Sequence, residues 1–223
     1  MRSTLLVTLS LVLAIASLGQ GGQAPPRVTL HMSFDGTVEA DFSANGQKKF
    51  NYVHVAYRPG VRAQGAQFGS EEFPCGLVVP TEGIFDKRHA TIEFWFMPLW
   101  NPADPLEQKR VRILLNDDTA DGRPGQFWIG TRGGRLFAAL RGDNLEVVSG
   151  PISAWKPETW HHVAVTLDSE HGMELYLDGE RVASRAMRWV LPQSRRLYLG
   201  ANRLGSQRAD GLFDELRIYD RAL

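Results

Sequence analysis

Cysteine is almost missing from this chain: Cys75 is the only one among 223 residues. A lone thiol closes no internal disulfide, so the fold must be held by its core. At this length a core can bury about 70% of the surface of the unfolded chain, and no staple is required. Cys75 stands between Pro74 and Gly76 with no activating base beside it in sequence, and reads as an inert, buried small side chain. Charge of one sign is missing too. Lys plus Arg and Asp plus Glu number 25 each, for a net charge of zero. That balance lacks the basic footprint by which proteins release counterions from phosphate backbones, so no nucleic-acid partner is expected. The chain also carries no Gly-x-Ser-x-Gly elbow, no His-Glu-x-x-His helix and no phosphate loop.

One address label is present. Met1-Arg2 opens with a positive charge, Leu5 to Leu18 is an apolar run broken only by Thr8, Ser10 and Ser17, and small residues follow to Ala24. These are the three zones of a secretory signal peptide, assigned to residues 1–22. The apolar run is shorter than the roughly 20 residues of a helical membrane span. A secreted, periplasmic or envelope protein is expected, with no membrane span after cleavage. The remaining chain, residues 27–223, reads as one domain.

That domain is written in strands and turns. Thr91-Ile-Glu-Phe-Trp-Phe-Met97 alternates between two faces. Gln126 to Arg132 and Arg135 to Arg141 are alternating runs joined by Gly133-Gly134, a two-residue loop that accepts positive φ at both positions. Pairing across it places Phe127, Ile129, Leu136, Ala138 and Leu140 on one face. Trp128, Arg132, Arg135, Phe137 and Arg141 fall on the other. A second hairpin joins Met173 to Leu177 with Glu180 to Arg185 through Asp178-Gly179, setting Leu175 opposite Val182. Many short strands with Gly, Pro and Asp turns imply an all-β fold of two packed antiparallel sheets. Asn101 to Gln108 is the most loop-like insertion, and Asp117 to Gly122 reads as a polar turn.

Three segments resemble laminin-G-like jelly-roll domains of the concanavalin A-like superfamily. They are Thr159-Trp-His-His-Val-Ala-Val-Thr-Leu-Asp168 with Leu175-Tyr-Leu-Asp-Gly179, the ending Gly211-Leu-Phe-Asp-Glu-Leu-Arg-Ile-Tyr-Asp-Arg-Ala-Leu223, and the beginning Ser33-Phe-Asp-Gly36 with Asp41 to Gly46. The resemblance implies a jelly-roll sandwich, often with one structural calcium ion near the meeting of the first and last strands. Asp214 alternates with Leu212, Leu216 and Ile218, which would put a carboxylate on an apolar face, where it needs a cation or hydrogen-bond donors. Asp35, Asp41 and Asn45 could add hard oxygen ligands for calcium. The alternative, that Asp214 accepts backbone N–H groups and the Asp41 loop is an Asx-type turn, remains open. His161 and His162 are adjacent in a strand, point to opposite faces and cannot easily share a metal.

The same superfamily includes glucanases and lyases, so a divergent glycoside hydrolase or polysaccharide lyase is the alternative function. Hydrolysis needs two carboxylates flanking the bond. The glucanase pattern Glu-x-Asp-x-x-Glu is approached only at Glu39-Ala-Asp41, where the third acid would be Ala44. No catalytic residue is assigned. The face bearing Trp128, Phe137, Arg132, Arg135 and Arg141 is the candidate ligand site, because aromatic rings stack on sugars and guanidinium forks suit acidic groups. The expected function is an exported, non-catalytic binding module whose partner is a glycan or an exported or cell-surface protein.

Overall fold

The computed structural model describes residues 25–70 and 76–223. The signal peptide expected over 1–22 and Cys75 lie outside the described residues. The strands run in chain order as β1 (Val28–Met32), β2 (Phe42–Ser43), β3 (Asn51–Tyr52), β4 (Ala56–Pro59), β5 (Gln64–Phe68) and β6 (Leu77–Pro80). Next come β7 (His89–Pro98), the short helix α1 (Pro105–Lys109), β8 (Arg112–Asp117), β9 (Phe127–Arg132), β10 (Arg135–Arg141) and β11 (Leu145–Pro151). The chain closes with β12 (His161–Asp168), β13 (Gly172–Leu177), β14 (Glu180–Arg185), β15 (Arg196–Leu199) and β16 (Gly211–Tyr219). α1 falls in the expected loop, where the Asp104 side chain caps it by accepting from the Leu106 N–H.

The first sheet has the order β14-β13-β12-β7-β16-β1-β2, with β5 also on β16 and β4 on β5. The second has the order β11-β10-β9-β8-β15-β6-β3. The pairings are antiparallel, and the two sheets form the expected jelly-roll sandwich. Between them lies one apolar core. Phe94, Phe96 and Phe213 of the first sheet meet with ring centroids 5.0–5.6 Å from Phe213, and Phe68 joins at 5.9 Å. Phe127, Ile129, Leu136, Ala138 and Leu140 face them from the second sheet, fully buried, as the alternation required. Each large side chain so buried contributes about 1.5–3 kcal/mol.

Both two-residue hairpins form. Gly133 and Gly134 have φ of 62° and 68° and join Arg132 to Arg135, while Asp178 and Gly179 have φ of 52° and 84°. In the second hairpin a bulge between Leu175 and Tyr176 moves the register by one, so Leu175 faces Ala183 instead of Val182.

A larger bulge corrects the reading of β16. Its first part, Gly211 to Phe213, pairs with β5, and its last part, Leu216 to Tyr219, pairs with β1. At the changeover Glu215 takes φ of 51°, and the extra residue flips the alternation. Leu216 and Ile218 therefore join Phe213 in the core, whereas Asp214 does not share their face. It is buried beneath the β4–β5 turn, where its Oδ2 accepts from the Val61 N–H at 2.7 Å and the Arg62 N–H at 3.0 Å.

Candidate functional site

The outward face of the second sheet carries a groove of about 490 Å³. Its floor is built by register. Ala139 of β10 faces Trp128 of β9, and Trp128 faces Asn116 of β8. Phe137 lies opposite Gly130, and there the missing side chain matters: a Cβ on Gly130 would meet the Arg112 carbonyl at 2.5 Å and the Phe137 ring at 3.1 Å. Gly130 thus lets the Phe137 ring lie low on the sheet. Trp128 and Phe137 are half-buried, with apolar surface left toward the groove.

Polar groups surround those rings. Arg135 is fixed by its neighbour strand, donating from Nε to Ser149 Oγ at 3.0 Å and from Nη2 to the Ser149 carbonyl at 2.7 Å. Arg132 is exposed at the same end. At the other end Gln126 bridges the Asp117–Gln126 connection. Its Oε1 accepts from the Gly122 N–H at 2.9 Å and its Nε2 donates to Asp121 Oδ1 at 3.0 Å. Asn116 is only 3% exposed, donates from Nδ2 to the Asp117 carbonyl, and leaves Oδ1 without a donor. Asn202 and Gln207, joined side chain to side chain at 3.2 Å, complete the wall.

Four of the five residues expected at the ligand site, Trp128, Arg132, Arg135 and Phe137, line this groove. Arg141 shares their face of β10 but stands beyond the groove lining, with its Nε unpartnered. Asn116, Asn202 and Gln207 were not anticipated. Asn116 carries a polar side chain in a strand whose alternation is broken by a bulge between Ile113 and Leu115, and the other two come from a loop remote in sequence.

The four residues named for calcium are not gathered into one site. Asp35 Oδ1 accepts from the Gln64 N–H, Asp41 Oδ2 from the Ser33 N–H, and Asn45 Oδ1 from Ser43 Oγ and the Gln47 N–H. Asp214 uses Oδ2 for Val61 and Arg62, while its buried Oδ1 has no partner. Among the described residues no group of three His, Cys, Asp or Glu side chains could hold a metal. Burial raises the Asp214 carboxyl to about 6; the two backbone N–H groups pull it down and neighbouring Glu215 pushes it further up.

The remaining buried charges lie away from the groove floor and are mutually engaged. Lys87 and Asp117, both fully buried, meet at 2.8 Å, and Lys87 also donates to the Gly125 carbonyl. Burial outweighs that pairing and holds the Asp117 carboxyl above its ordinary value. On the outer face of the first sheet, Glu215 meets His31 at 3.1 Å and also bonds Arg217. Burial would raise Glu93, but hydrogen bonds from His162 and Tyr219 and the Arg217 charge hold it below the ordinary carboxylate range. His161 instead stacks on Trp155 at 4.0 Å, so the two histidines do point apart. A larger cavity, about 710 Å³, lies between the Pro80–Asp86 and Gln193–Arg195 segments, but no exposed Phe, Tyr or Trp lines it.

Comparison with known proteins bears on the fold. A laminin G family model, described as the concanavalin A-like lectin/glucanases superfamily, matches residues 76–223. No curated protein sequence matches the chain. Among solved structures the chain is similar to the binding domain of Paraclostridial Mosquitocidal Protein 1 (TM-score 0.64, 18% identity, 89% of this chain and 49% of that one). It is also similar to the botulinum neurotoxin serotype G binding domain (TM-score 0.70, 13% identity, 88% and 48%). A third is domain 4 of AbnA, an extracellular arabinanase from Geobacillus stearothermophilus, in complex with arabinotriose (TM-score 0.62, 19% identity, 89% and 94%). The chain thus spans about half the length of the two toxin domains and nearly all of the arabinanase domain.

Proposed function

This chain belongs to the concanavalin A-like lectin/glucanases superfamily, and from that premise we propose that it is an exported, non-catalytic glycan-binding module whose site is the groove over β8, β9 and β10. The carrying observation is the juxtaposition of Trp128 and Phe137, exposing ring surface, with fixed polar groups from Arg135, Gln126, Asn116 and Asn202. A sugar presents apolar C–H faces and a rim of hydroxyls. Aromatic rings take the faces, and convergent donors and acceptors take the hydroxyls. The arabinanase domain that resembles this chain over 94% of its own length was solved with arabinotriose, which supports a glycan as ligand.

Binding is favoured over hydrolysis because the groove lining offers one carboxylate, Asp121, already bonded to Gln126. Cleavage of a glycosidic bond needs two. Export rests on the Met1 to Ala24 pattern. Among the described residues no helix is long and apolar enough to cross a membrane.

The test is a binding screen of the chain against immobilised arabinan, xylan, β-glucan, sialylated and sulfated glycans, with calcium and again with chelator. Saturable binding to at least one glycan, unchanged by chelator, is expected. Silence throughout would overturn the glycan reading in favour of a protein partner. Release of shorter oligosaccharides from a bound polymer would overturn the non-catalytic one.

A further inference from the structure

Beyond Asn116 the outer face of the second sheet continues without interruption. Tyr198 of β15 faces Asn116, Val78 of β6 faces Tyr198, and Asn51 of β3 faces Val78. Ala139, Trp128, Asn116, Tyr198, Val78 and Asn51 therefore form one straight row across six strands. At the usual spacing that row measures about 24 Å, with Trp128 and Tyr198 two strands, or about 10 Å, apart. A second cavity of about 260 Å³ opens at the far end, lined by Tyr198, Tyr52, Val78 and Leu204. Tyr52 is 51% exposed there.

The two cavities adjoin at Asn202, which lines both. Its loop is held rigid from within: Asn202 Oδ1 accepts from the Leu204 and Ser206 N–H groups, and Asn202 Nδ2 donates to Gln207 Oε1. Each cavity also holds a polar atom without a partner. In the first it is Asn116 Oδ1, on a residue buried to 97% between the two aromatic positions. In the second it is Arg203 Nε. Unpaired buried polar atoms are uncommon because each forfeits a hydrogen bond.

We infer that the two cavities act as one trough that binds an internal stretch of an extended linear glycan laid across the strands, with Trp128 and Phe137 at one aromatic station, Tyr198 at a second and Tyr52 at the far edge. The inference rests on the glycan-binding reading and adds the ligand's shape to it. A sugar unit in an extended chain advances by roughly one strand spacing, about 5 Å, so units two apart fall on the two stations. A site of this length prefers polymer interiors to single terminal sugars.

Isothermal titration with size-graded linear α-1,5-arabino-, β-1,4-xylo- and β-1,4-gluco-oligosaccharides, dimer to octamer, tests it. For the series that binds, affinity should rise at least tenfold from dimer to about the hexamer and then level off. Tyr198→Ala should reduce hexamer affinity towards the dimer's while leaving dimer binding intact. Tyr52→Ala, at an exposed edge that folding does not depend on, should lower hexamer affinity several-fold and serves if Tyr198→Ala fails to fold. Affinity independent of length, or a length dependence untouched by both substitutions, would overturn the extended trough. If Trp128→Ala still removes dimer binding in that case, the groove reading survives alone. No binding at any length overturns both.

Discussion

Trp128 exposes one flank to the groove while its backbone sits mid-sheet, opposite Ala139 and Asn116. Replacing it with Ala should cut glycan affinity at least tenfold with little change in Tm, because the ring is only half-buried. Lys87 behaves oppositely. Lys87→Met should cost about 3–5 kcal/mol, read by denaturant unfolding, because it strands the Asp117 carboxylate in the core. Lys87→Met combined with Asp117→Leu should recover most of that loss; a double variant as unstable as the single one would contradict the account. Asp214 gives a pH signature. Its carboxyl is raised to about 6 in the folded chain, so the folded state binds the proton more tightly than the unfolded one. Stability should fall as pH rises from about 4 to about 6 and stay flat above. Asp214→Asn keeps an acceptor for Val61 and Arg62 and removes the ionisation. Its Tm should exceed the parent's above pH 6, by about 1–3 kcal/mol in stability, and the two should converge below pH 4. Parallel curves across that range would contradict the assignment.

Elements differ in how plainly the chain writes them. The β9–β10 and β13–β14 hairpins were legible because Gly133-Gly134 and Asp178-Gly179 both take positive φ and both flank alternating runs. Burial then followed, down to Phe127, Ile129, Leu136, Ala138 and Leu140. The bulges were not legible. Nothing local to Glu215 announces φ of 51°; the break arises because β16 exchanges β5 for β1 as its neighbour, a fact of tertiary pairing. That single inserted position moved Asp214 off the face its spacing implied. The groove was half legible for the same reason. Its β9–β10 half comes from contiguous residues, whereas Tyr52, Asn116 and the Tyr198-to-Asn202 stretch come from segments tens of residues apart. Gly130 is where element and site meet. Gly130→Ala should force β8 from β9, since its Cβ would sit 2.5 Å from the Arg112 carbonyl. Both Tm and glycan affinity should drop, unlike Trp128→Ala, where affinity alone falls.

Over the whole molecule, two sheets share one core, and the loops and outward faces are left for function. The family match fixes the architecture, and fold alone leaves the ligand open. What distinguishes the two outer faces is their chemistry. On the first sheet, half-buried Trp95 and Tyr219 sit among Glu93, Glu215, Arg217, His31 and His162, which pair with one another, while on the second half-buried Trp128, Phe137 and Tyr198 line cavities beside Arg132 and Asn116. The most direct test of the central claim is calorimetric titration of the parent and Trp128→Ala chains with whichever glycan the screen retains. The account predicts saturable binding by the parent and at least a tenfold loss in the variant at equal Tm. Equal affinity for both chains would contradict it and move the site off this face.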